Sequence, residues 1–85
     1  MKKIGNYLRL KREAIGLTQA QAAAKLGYSS PQFISNIERG ISQVPIKSLR
    51  AFILLYGLAT EEIIEMLLEH KRNQLRKALA GSDSI

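Results

Sequence analysis

No cysteine occurs in the 85 residues, which excludes disulfides and thiolate metal sites. One histidine, His70, is present, and no aspartate lies near it in sequence. The chain therefore offers no ligand set for a metal and no constellation for catalysis, so neither an enzyme nor a bound cofactor is expected. The longest apolar run, residues 51–59, covers nine residues, against the ~20 that a membrane-spanning helix requires. Met1, Lys2 and Lys3 resemble the start of a leader, but Asn6, Arg9, Lys11 and Arg12 interrupt any hydrophobic region behind them. A cytoplasmic protein without membrane contact is expected. Sustained alternation of period two is missing, and β-branched residues other than Ile are scarce. This points away from strands and toward an all-α chain.

Acidic residues are few where basic ones are many. Thirteen Lys and Arg stand against seven Asp and Glu, for a formal charge of +6, and such an excess in a small chain suggests a polyanionic partner. The charge is segregated. Residues 1–50 carry nine basic side chains against Glu13 and Glu38. Residues 51–69 have no basic residue and four Glu, at 61, 62, 65 and 69, and residues 70–85 turn basic again. The positive field thus belongs mainly to the first half. With 46% hydrophobic residues, the composition is that of one globular domain, expected over residues 1–80, followed by a frayed tail at 81–85.

Gly16, Gly27, Gly40 and Gly57 each follow a stretch of helical periodicity, where a left-handed residue closes a helix. They predict five helices, at about 3–15, 19–26, 31–39, 47–56 and 61–79. Thr18 and Gln21 form a capping box for the second. Ser30 before Pro31 predicts a cap and a first-turn proline for the third. The fourth is expected to be capped near Lys47 or Ser48. Thr60 ahead of Glu61 and Glu62 places a cap and two acids at the positive end of the last helix.

The second and third helices carry the chemistry. Ala20, Ala22, Ala23 and Ala24 keep the second slim enough for a close crossing at ~90–120°. Phe33, Ile34 and Ile37 give the third an inward face, leaving Gln32, Ser35, Asn36 and Arg39 outward. Amide side chains offer a donor and an acceptor together, the pattern that meets the N6/N7 edge of adenine, and a Ser hydroxyl pairs either way. Such a set is also an ordinary polar surface. Its position after a short capped helix, in the basic half, favours base reading. Rim groups suited to the phosphate backbone are Lys25, Arg39, Ser42, Gln43 and Lys47, with Ser30 either a cap or a phosphate contact.

The runs Leu17-Thr-Gln-Ala-Gln-Ala-Ala-Ala-Lys-Leu-Gly27 and Phe33-Ile-Ser-Asn-Ile-Glu-Arg-Gly40 resemble the Cro/CI-type (lambda-repressor-like, XRE) helix-turn-helix family over about residues 4–58. The resemblance implies a five-helix, lambda-repressor-like DNA-binding fold, with the helix-turn-helix at 18–39 and an extended C-terminal helix. It further implies that Gln19 meets the DNA backbone and buttresses a side chain of the recognition helix. Pro31 and Gln32 are then base-facing, as are Ser35 and Asn36 one turn later. Proline has no hydrogen bond to give, which puts Gln32 first and Asn36 second for readout. An Arg12–Glu38 pair is implied as a structural clamp, which removes Arg12 from the DNA contacts. Gly27 to Ile34 is seven steps where the common family pattern has six, so the turn carries one extra residue.

Ile4, Leu8 and Ile15 are expected in the core, with Leu49 and Ile53 from the fourth helix. The first half of the last helix is broadly apolar (Ile63, Ile64, Met66, Leu67, Leu68), which suits either a capping helix or a homodimer contact. The expectation is a sequence-specific transcriptional regulator, a repressor, that binds double-stranded DNA as a homodimer. The alternative is a protein-interaction module on the same fold, such as an antitoxin or adaptor.

Overall fold

A computed structural model describes residues 2–82 and not the side chain of Ser82. Five helices follow one another: α1 (Lys2–Ala14), α2 (Gln19–Lys25), α3 (Gln32–Glu38), α4 (Ile46–Tyr56) and α5 (Thr60–Ser82). No strand occurs among the described residues. Gly16, Gly27, Gly40 and Gly57 all have positive φ, from 67° to 83°, so each helix from α1 to α4 stops at the glycine expected to close it. Of the tail expected at 81–85, residues 83–85 lie outside the described residues, and Gly81 and Ser82 continue α5.

The α2 start follows the capping-box pattern. Thr18 Oγ1 accepts from the Gln21 backbone N–H at 3.0 Å, and the Gln21 side chain accepts from the Thr18 N–H at 2.9 Å. Three other starts differ from expectation. Helix α5 begins at Thr60 itself, and the Ile63 N–H donates to the Ala59 carbonyl at 3.2 Å, so Thr60, expected as the cap, lies in the first turn. Pro31 itself occupies the cap position of α3 (φ −71°, ψ −11°), with no side-chain cap hydrogen bond. Ser30 is therefore not the cap and stays exposed. Pro45 precedes α4 in extended backbone, which displaces the cap expected at Lys47 or Ser48. A proline at these points fixes φ and lacks only an N–H that a helix's first turn leaves unpaired anyway.

The core is built from residues one to four positions apart on each helix, which share its inner face. Ile4 and Leu8 of α1 share one buried cluster with Ala22 and Ala23 of α2, Ile34 and Ile37 of α3, Phe52 and Tyr56 of α4, and Ile63 of α5. Full burial of Leu8, Ile34, Ile37 and Phe52 stabilises by roughly 2 kcal/mol per side chain. Phe52 and Tyr56 pack edge to face at 5.4 Å, a favoured aromatic geometry. Ile15 is 45% exposed because α1 ends at Ala14 and the Gly16 turn carries it outward, so the expectation of a core role fails.

Gly5 sets how closely α1 and α3 approach. A Cβ built there would stand 2.6 Å from the Glu38 carbonyl oxygen and closer still to that of Ile37. Only glycine lets the C-terminal end of α3 lie against α1.

Candidate nucleic-acid interface

The third helix is held at both ends. At its start, the turn between α2 and α3 is fastened by Tyr28, whose N–H donates to the Ala23 carbonyl at 2.8 Å. The Tyr28 ring stacks on Phe33 with centroids 4.0 Å apart, and its hydroxyl shares a 2.6 Å hydrogen bond with Ser48 of α4. One residue of the longer turn is thus anchored to three helices.

At its end, Glu38 is buried and receives three hydrogen bonds. Arg12 Nε donates to Oε2 at 2.6 Å, and Arg12 Nη2 and Gln19 Nε2 each donate to Oε1 at 3.0 Å. Arg12 Nη1 donates to the Leu17 carbonyl at 2.7 Å. The Arg12 and Glu38 side chains are 9% and 3% exposed. Hydrogen bonding to Glu38 raises the Arg12 pKa further above its ordinary value, against the opposing effect of burial. Each of the three Arg12 nitrogens donates a hydrogen bond and both Glu38 oxygens accept one or more, the kind of pairing that a buried ion pair requires. This closed network ties α1, the turn at 16–18, α2 and α3 together.

Between the two anchors, α3 presents a polar outer face. Gln32 is exposed and Asn36 half-buried. Gln32 Nε2 donates to Asn36 Oδ1 at 2.8 Å, and Arg39 Nη2 donates to the same oxygen at 3.0 Å. A guanidinium can only donate, so the Asn36 atom facing Arg39 is the oxygen. The Gln32 atom facing that oxygen must then be the nitrogen. The face is left presenting Gln32 Oε1 as acceptor and Asn36 Nδ2 as donor. Ser35 lies one step around the helix, half-buried, and Pro31 is exposed at the start.

Ser35, Arg39, Gln19 and Glu38 line an open basin with Lys2, Asn6 and Arg9 of α1. Arg9 Nη2 donates to Asn6 Oδ1 at 2.8 Å. Sequence reasoning did not select Lys2, Asn6 or Arg9. Their spacing of i, i+4 and i+7, polar and on one side of α1, is the signal that would have found them.

The remaining rim residues are less closely joined. Lys25, Gln43 and Lys47 are exposed, and Lys47 belongs to α4 and not to the loop. Ser42 is tied to α3 through its N–H, which donates to the Asn36 carbonyl at 3.2 Å. Gln43 borders a different cleft, with Ile46, Leu67 and His70. The side-chain hydrogen bonds on the outer face of α3 join Gln32, Asn36 and Arg39 to one another, and Lys25, Ser30, Gln43 and Lys47 stand outside that chain.

Among the described residues there is no cluster of three potential metal ligands and no helix long and apolar enough to cross a membrane. No curated protein and no solved structure matches this chain. A family model described as helix-turn-helix matches residues 8–63, which takes in all of α2, α3 and α4. With two short helices in contact, two alanines of the first buried in the core and a polar outer face on the second, the chain belongs to the Cro/CI-type (XRE) helix-turn-helix family of DNA-binding transcription regulators.

Proposed function

We propose that this protein binds a specific double-stranded DNA sequence as a homodimer, with α3 in the major groove, and acts as a repressor. The observation that carries the reading is the outer face of α3, where Gln32 and Asn36 are held by each other and by Arg39. Gln32 Oε1 is then left as an acceptor and Asn36 Nδ2 as a donor, the two kinds of group that complement the N6 donor and N7 acceptor of adenine. Because the two amides share one hydrogen-bonded chain, they read as a unit. Ser35 and Pro31 are the flanking base-facing positions, Pro31 by apolar contact alone.

Phosphate contacts come from Arg39, Gln19, Lys25, Ser30, Ser42, Gln43 and Lys47, joined by Lys2 and Arg9 from the basin. Gln19 gives one amide hydrogen to Glu38 and keeps a second for a phosphate oxygen. It thereby couples the backbone contact to the position of α3. Arg12 and Glu38 hold the helix and touch no DNA.

Selection of bound duplexes from a random pool tests the reading. Recovery of a defined motif, whose preference for adenine at one position disappears in Gln32→Ala, supports it. Recovery of arbitrary sequences would overturn it and favour the protein-interaction alternative.

A further inference from the structure

Arg39 caps the C-terminal end of α3, and its backbone is fixed on both sides. Glu38 before it is buried in the network with Arg12 and Gln19. Gly40 after it has φ +77° and lies so close to α1 that a Cβ there would stand 2.8 Å from Lys2 Cα. From this rigid point Arg39, itself exposed, turns back along the helix and donates from Nη2 to Asn36 Oδ1 at 3.0 Å. The Asn36 backbone is pinned as well, because its carbonyl accepts from the N–H groups of Ile41 and Ser42 at 2.9 and 3.2 Å. Asn36 is thus an amide on a held stem, and its main remaining freedom is the half-turn that exchanges oxygen and nitrogen.

Within the Gln32–Asn36 pair nothing selects one half-turn over the other. Gln32 Nε2 donating to Asn36 Oδ1, and Asn36 Nδ2 donating to Gln32 Oε1, are one amide-to-amide hydrogen bond run in opposite senses. The first leaves Gln32 Oε1 and Asn36 Nδ2 for other partners, and the second leaves Gln32 Nε2 and Asn36 Oδ1. Arg39 breaks the tie, since a guanidinium has donors and no acceptor and holds the Asn36 oxygen toward itself. Its charge makes that bond stronger than a neutral one.

We propose that Arg39 determines specificity as a positioning residue, acting through Asn36 and Gln32 to fix the order of acceptor and donor offered to the bases. The proposal rests on the reading of α3 above and names the group that decides which bases it accepts. An outer oxygen on Gln32 takes the N6 donor of adenine or the N4 donor of cytosine, and it is mismatched to the acceptor edges of guanine and thymine. The reversed order takes guanine or thymine there. Losing Arg39 leaves both amides in place and makes the position they read degenerate. Arg39 has five N–H donors, so the bond to Asn36 leaves others for a phosphate oxygen.

Selection of bound duplexes from a random pool by the wild type, Arg39→Met and Arg39→Lys provides the test, with circular dichroism showing that each chain is folded. At the position whose adenine preference depends on Gln32, the wild type is expected to favour adenine over guanine or thymine by ~10-fold or more. Arg39→Met should bring that preference within ~3-fold and leave the other positions of the motif unchanged. It should also lower the slope of log K against log salt by ~0.9, through the lost phosphate contact. Arg39→Lys, whose ammonium likewise only donates, should keep both the preference and the slope. If Arg39→Met binds every duplex more weakly but keeps the adenine preference, Arg39 is a phosphate contact alone; that overturns the proposal and leaves the α3 reading standing. Loss of preference at every position at once also overturns it, since that marks a displaced helix. A wild type that recovers arbitrary sequences overturns the α3 reading, and the proposal falls with it.

Discussion

Replacing Glu38 by alanine should destabilise the protein by about 3–5 kcal/mol, the range for removing one member of a buried ion pair. The size follows from what is left behind. Arg12, only 9% exposed at its side chain, would keep its charge and its bond to the Leu17 carbonyl, but its two hydrogen bonds to the carboxylate would go unmade. The Gln19 amide would be without its acceptor as well. A chain of this length has a total stability of roughly 4–13 kcal/mol, so the effect is a large share of the whole. It corresponds to a fall in Tm on the order of 15–30 °C. Glu38→Gln, which keeps the shape and one acceptor oxygen, should cost about half as much.

Substituting both members, Arg12→Met with Glu38→Leu, should return stability to within ~1 kcal/mol of the wild type, because no buried charge remains. Urea unfolding followed by helical circular dichroism measures all four proteins, with an unchanged m-value required for comparison. A change below ~1 kcal/mol for Glu38→Ala would show that the ion pair is dispensable and that the apolar packing of Ile34 and Ile37 alone holds α3 in place.

The Tyr56 pKa is pushed up to about 12, chiefly by burial and further by Glu38, with Arg12 acting the other way. A folded pKa above the unfolded value of about 10 means that the folded state holds its proton longer. The associated stability is complete below pH ~10 and is lost as pH rises toward 12. Tyr56→Phe should flatten that alkaline limb in a pH series of urea titrations. It should cost little at neutral pH, because the Tyr56 hydroxyl is buried without a hydrogen-bond partner. Gly5→Ala should destabilise by ~3 kcal/mol or more despite alanine's better helix propensity, since its Cβ meets two α3 carbonyls; thermal melts would show it. Lys2→Ala and Arg9→Ala should weaken DNA binding about equally for all sequences. Each should lower the slope of log K against log salt by ~0.9, measurable by fluorescence anisotropy.

Much of the fold is legible in the residues. The four left-handed glycines and the Thr18–Gln21 box are local signals whose physics acts within a few residues, and they mark four helix ends and one start. The starts of α3 and α4 are less plain. Ser30 and Ser48 suit a cap by type, yet Pro31 and Pro45 take those positions by fixed φ. Contacts between residues far apart along the chain leave no local signal at all. The Gly5 approach to α3 is of this kind, as are the hold of Tyr28 on Phe33 and Ser48, and the basin that brings Lys2 and Arg9 beside Ser35 and Arg39. Ile15 shows the converse. Its spacing places it on the core face, and an early end to α1 turns it to solvent.

Whether α3 reads sequence shows in the ratio of affinities for a selected duplex and a scrambled one at matched salt, for wild type and for Gln32→Ala with Asn36→Ala. The wild-type ratio is expected to be ~10³ or more. In the double variant that ratio should fall at least tenfold, while affinity for the scrambled duplex and the salt slope stay nearly unchanged. A ratio near one for the wild type, or one that the double variant keeps intact, would contradict the assignment of α3 as the element that reads sequence.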